Sequence, residues 1–126
     1  MNGTSNSDPA IRVMMMPKDT NARGTIFGGV ILSQIDQAGG VEAMRNGANN
    51  PVTVLMKTVE FHSPVFVGDV VSYYAEALKI GRTSVTVKVT VEAQRRLPPF
   101  ATDLVTSAEV VYVNVDDDMK PTPIVK

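Results

Sequence analysis

One stretch of helical period stands in a chain that otherwise reads as strand, and that imbalance limits what the chain can fold into. Between Phe27 and Arg45, the residues Phe27, Ile31, Ile35 and Ala38 recur at three- and four-residue spacing, with Val30, Val41 and Met44 beside them. That is the period of a helix with one buried face. Asn46-Gly47-Ala48-Asn49-Asn50-Pro51 then ends it with Gly, Asn and Pro. Ahead of the helix, Ile11–Met16 reads as a short strand stopped by Pro17, and residues 17–24 as a loop of turn formers. Behind it, Val52–Phe61, Asp69–Ile80 and Thr102–Val115 read as long strands. Between the last two, Val85, Val87, Val89 and Val91 alternate with Thr86, Lys88, Thr90 and Glu92 after a tight Gly81-Arg82 turn, the mark of a half-buried strand. The expected class is α+β: a curved antiparallel sheet of about five to six strands wrapped around one long central helix. In Thr102–Val115 both parities are apolar, Val105, Val111 and Val113 against Leu104, Val110 and Tyr112. The outer face therefore calls for a second layer. With the helix already used, another subunit supplies it, which predicts a homo-oligomer.

At 126 residues the chain makes one domain, read as a flexible leader over 1–8 and a single domain over 9–126. A formal net charge of -1 lacks the basic excess of a nucleic-acid binder. No apolar run reaches the roughly 20 residues that span a bilayer, and the first residues lack a basic, then apolar, signal sequence. Neither nucleic acid nor membrane is an expected partner. Cysteine is absent, which suits a reducing cytoplasm and removes disulfides, thiol nucleophiles and thiolate metal sites. With His62 the sole histidine, no zinc site is expected. A Ser-His-Asp triad also lacks its nucleophile elbow. Acid–base chemistry falls to carboxylates, amides, backbone donors and water.

Three features of the helix oppose helix propensity: the Gly28-Gly29 start, Asp36 near the middle, and Gly39-Gly40 a turn later. Each interior glycine costs about 0.8–1.0 kcal/mol relative to alanine, so the pair needs a reason. Gly29, Ser33, Asp36, Gly39, Gly40 and Ala43 fall on or near one face, where a strand, a second helix or a ligand can come close to the backbone. The first turn of a helix carries unpaired N–H donors and partial positive charge. Gly28 and Gly29 leave those donors unshielded, a candidate oxyanion hole. With Asp36 further along and Asn21 in the preceding loop, the set suits acyl transfer without thiol, metal or catalytic histidine. Each residue also has a plainer role: helix-start geometry, a solvated carboxylate, close packing, or a turn asparagine.

The stretch Asp19-Thr20-Asn21-Ala22-Arg23-Gly24-Thr25-Ile26-Phe27-Gly28-Gly29, then Ser33-Gln34-Ile35-Asp36 and Gly39-Gly40, resembles the acyl-CoA thioesterases of the hotdog fold, nearest the YciA and cytosolic acyl-CoA hydrolase branch. Phe61-His62-Ser63-Pro64-Val65, Val67-Gly68-Asp69-Val70-Val71, Gly81-Arg82-Thr83-Ser84 and Val113-Asn114-Val115-Asp116 extend the likeness over roughly Val13 to Pro123. The resemblance implies a hotdog domain whose subunits pair edge to edge, a dimer as the minimum unit and a hexamer as the common assembly. It implies a site between subunits, where Asp36 of one faces Asn21 of the other. Asp36 would activate water or attack the thioester itself, Asn21 would position water or carbonyl, and the Gly28 or Gly29 amides would hold the oxyanion. Gly81, Arg82, Thr83 and Ser84 match a segment that meets coenzyme A phosphates, with His62 and Ser63 as neighbouring coenzyme contacts. No cofactor is implied, coenzyme A being part of the substrate. The activity implied is hydrolysis of an acyl-CoA to a carboxylic acid and coenzyme A. Two alternatives stand beside it: a non-catalytic acyl-CoA-binding module, and an enoyl-CoA hydratase or dehydratase, which usually uses a catalytic histidine. Arg95-Arg96-Leu97-Pro98-Pro99-Phe100 has no assigned role.

Overall fold

The computed structural model describes residues 8–125; of the expected leader only Asp8 falls within them, and it is exposed. Helix α1 runs Gly28–Arg45, with Phe27 as its N-cap rather than its first residue. At its other end Gly47 takes φ +100°, the left-handed turn that glycine allows after a helix. Strand β1 is Ile11–Met14, β2 Pro51–Phe61, β3 Val70–Ile80, β4 Ser84–Gln94 and β5 Thr102–Asn114. Each lies within a residue or two of its sequence expectation.

The strands form one antiparallel sheet of five in the order β1-β3-β4-β5-β2. Short connections make β3, β4 and β5 a meander. β2 instead lies beyond β5, and the helix carries the chain from one sheet edge to the other. The alternation in β4 sends Val85, Val87, Val89 and Val91 inward, each fully buried. They meet Ile31, Ile35 and Ala38 of α1, so period 2 and period 3.6 close on one core. This is the hotdog arrangement, a curved sheet around a central helix.

The outer face is less apolar than the parity of β5 suggests. Ser72, Tyr74, Glu76, Lys88, Thr90 and Glu92 pair across β3 and β4 there, while Val111 and Val113 stand beside Leu55 and Val52 at the β2 side. β2 is a largely exposed edge strand, with Val54, Leu55 and Val59 exposed on it. No helix among the described residues is long and apolar enough to cross a membrane.

Candidate active site

The small-residue face of α1 divides in two. Gly29 and Ser33 are exposed, whereas Gly39 and Ala43 are buried. Between them sits Asp36, half-buried. β2 and β5 meet it from the sheet: Thr53 and Tyr112 are cross-strand partners, so both side chains point to the helix. Thr53 Oγ1 donates to Asp36 Oδ1 at 2.6 Å. The Tyr112 hydroxyl donates to the Asp36 backbone carbonyl at 2.6 Å and lies 3.3 Å from Oδ1. Among the described residues, Oδ2 has no hydrogen-bond partner. Burial, with the charge and hydrogen bond of Asp36 added, pushes the Tyr112 phenol well above its ordinary range, so it remains a donor.

The amino end of α1 is a second centre. No side chain caps it, and Gly28 and Gly29 N–H have no backbone acceptor among the described residues, as expected of a first helical turn. Ile26 N–H donates to Val65 O at 2.8 Å, and Phe27 N–H to Asp19 O at 2.8 Å. These bonds fix the chain that leads into the helix. A cleft of about 350 Å³ opens beside it, lined by Arg23, Thr25, Gly28, Phe61, His62 and Ser63 among others. His62 Nε2 lies 3.5 Å from Ser107 Oγ and 3.7 Å from Glu60 Oε1.

Asn21 serves its own loop. Its Nδ2 donates to Thr25 Oγ1 at 2.9 Å, and its Oδ1 accepts from the Arg23 and Thr25 amides at 2.8 and 3.2 Å. The Gly81–Ser84 hairpin lies elsewhere again. Arg82 O accepts from Ile124 N, Thr83 O accepts from Asn114 N, and the same C-terminal segment reaches Gly47, so Arg82, Thr83 and Ser84 sit by the carboxyl end of α1. Within one chain the structure brings Gly28, His62 and Ser63 to one cleft. It leaves Asp36 about 10 Å along the helix from Gly29, outside that cleft, and Arg82 beyond it. Thr53 and Tyr112, the groups that hold Asp36, were not singled out in the sequence. Among the described residues no group of three or more metal-ligating side chains comes together.

The family model for the thioesterase superfamily matches residues 23–98. The chain is 38% identical over 126 residues to the acyl-CoA thioester hydrolase YciA of Salmonella typhimurium, covering 98% of this chain and 95% of that one. It is similar in structure to a hexameric hotdog fold thioesterase of Campylobacter jejuni (TM-score 0.87, 45% identity, 94% of this chain and 90% of that one). A hexameric thioesterase of Yersinia pestis gives TM-score 0.89 at 37% identity, over 98% of this chain and 100% of that one.

Proposed function

The chain belongs to the thioesterase superfamily, as an acyl-CoA thioester hydrolase of the hotdog fold, and we propose that Asp36 supplies its general base. The observation that carries this reading is the state of the carboxylate. Oδ1 accepts from Thr53, with the Tyr112 hydroxyl 3.3 Å away, while Oδ2, without a partner among the described residues, is free to take a proton from water or, in the alternative role, to attack the acyl carbon itself. Water adds its oxygen to the acyl carbon and gives a proton to Oδ2. The C–S bond then breaks, and the proton passes to the departing sulfur, giving a carboxylic acid and coenzyme A.

The developing oxyanion needs donors placed in advance, which the Gly28 and Gly29 amides provide. Their distance of about 10 Å from Asp36 along one helix is too long for both to serve one carbonyl. The site is therefore built from Asp36 of one subunit and the helix start and Asn21 of another, so the minimum unit is a homodimer. The exposed β2 edge suits edge-to-edge pairing, and the relatives from C. jejuni and Y. pestis are hexameric, the assembly proposed here. Asn21 positions the water or the carbonyl. The Gly81–Ser84 turn meets the coenzyme phosphates, with the Arg82 guanidinium as the planar fork suited to them. His62 and Ser63 contact the coenzyme beside Gly28. No cofactor is needed, coenzyme A being part of the substrate, and the place of action proposed is the cytoplasm, which the absence of cysteine suits.

The test is thiol release from short, medium, long and aromatic acyl-CoAs. Asp36→Ala should lower kcat by about 10² or more, with coenzyme A binding retained. Coenzyme A binding with no thiol release from any of them by the unaltered protein would make the chain a binding module instead.

A further inference from the structure

We infer that Tyr112 and Gly39 together form a positioning device for Asp36, the hydroxyl fixing the carboxylate and the glycine admitting the hydroxyl; the inference rests on the base role proposed above. Tyr112 is 2% exposed and stands on β5, across the sheet–helix interface from Asp36. Its hydroxyl donates to the Asp36 main-chain carbonyl and lies within reach of Oδ1. Its one proton goes to the carbonyl, with Oδ1 as the longer branch at 3.3 Å, so the hydroxyl anchors the helical turn that carries the carboxylate and sits against the carboxylate itself. With Thr53 on Oδ1 as well, the carboxylate cannot turn about its bond to the helix without breaking a hydrogen bond, and Oδ2 keeps one direction.

A phenol reaches a helical carbonyl only where the helix has no side chain in the way. A methyl group at Gly39 would overlap the Tyr112 hydroxyl and stand 3.0 Å from the ring atoms Cε1 and Cζ. At Gly40 the same methyl would be 4.0 Å from the ring, an ordinary contact. Both glycines weaken the helix alike, but only Gly39 is required by this approach. Tyr112 is therefore a positioning residue, not a catalytic one, since it acts on the reaction only through Asp36.

A double-mutant cycle on the purified oligomer tests the pair. Tyr112→Phe adds no atom and removes the hydrogen bond to the Asp36 carbonyl together with the hydroxyl's contact to Oδ1. It should lower kcat by about tenfold to a hundredfold with KM unchanged, because substrate contacts remain. Gly39→Ala should do the same by displacing the hydroxyl, whereas Gly40→Ala should leave kcat as it was. In the Gly39→Ala, Tyr112→Phe double variant, kcat should be no lower than in the worse single variant. Wild-type kcat in Tyr112→Phe, beside an inactive Asp36→Ala, overturns this inference alone; so do losses that multiply in the double variant, or a rise in KM with kcat intact. Full turnover in Asp36→Ala overturns the base role and this inference with it. Should Gly39→Ala fail to fold, the kcat and KM of Tyr112→Phe still decide.

Discussion

A phenol buried beside a carboxylate has two reasons to stay protonated, and Tyr112 has both. Tyr73 is fully buried and donates to Gln34 Oε1; burial first, and then the charge of Asp19, pushes its phenol upward as well. Two of the chain's three tyrosines are therefore harder to ionise folded than unfolded. The sign follows from linkage. A raised folded value means the stabilisation is complete below the ordinary phenol value of 10.0 and is lost as pH rises above it. Alkaline titration followed by near-ultraviolet absorbance should show two phenols that ionise only as the far-ultraviolet dichroism of the fold disappears. Ionisation of Tyr73 and Tyr112 near the ordinary value, with dichroism intact, would contradict this. In the sequence Asp36 stood out because a charge sat among small residues, and Gly39 because a glycine sat inside a helix. What holds them did not stand out: Thr53 and Tyr112 are 17 and 76 positions from Asp36, and only the register between β2 and β5 makes them neighbours.

Among the elements, the β4–β5 connection and the segment after β2 depend on each other through Arg95. Its Nη1 donates to Asp69 Oδ2 at 2.6 Å and to Pro64 O at 3.0 Å, and its Nε to Asp103 Oδ2 at 3.0 Å. Its guanidinium lies 5.5 Å from the centre of the Phe66 ring, within cation–π range. The Asp69 side chain is 4% exposed and also accepts the Phe66 amide at 2.9 Å. Burial works against the charge on Arg95, but Asp69 and Asp103 outweigh it and hold the group protonated. Removing one partner of such a pair strands the other, so Arg95→Ala should cost about 3 kcal/mol of stability, read as a lower urea midpoint at unchanged slope. A change within about 0.5 kcal/mol, as at an ordinary surface site, would show the pair to be idle. The helix and β4 were legible because each follows one period over many residues and ends at Gly, Asn or Pro. The role of Arg95 was not, because two of its partners, Pro64 and Asp69, lie 31 and 26 residues away and no period links them to it.

At the scale of the molecule, α1 sets the distances. Its 18 residues span about 27 Å, with the bare amides at one end, Asp36 near the middle and the Arg82 hairpin by the other end. In the proposed site a thioester carbonyl and its coenzyme meet all three, which a single chain holds apart. The sequence shows the parts, since each is a local motif; which subunit contributes which comes only through the family resemblance, since it depends on how two sheets meet. Subunit mixing makes the point measurable. Asp36→Ala and Asn21→Ala, each deficient alone, break the same composite site from opposite sides. A hybrid dimer of the two carries one site with both lesions and one with neither. After co-refolding in equal amounts, half the dimers are hybrids, and about a quarter of wild-type thiol release should return. If Asp36 and Asn21 of the same chain worked together, every site in every hybrid would keep one lesion. The mixture would then be no more active than its components, and the intersubunit assignment would fail while Asp36 itself could still be the base.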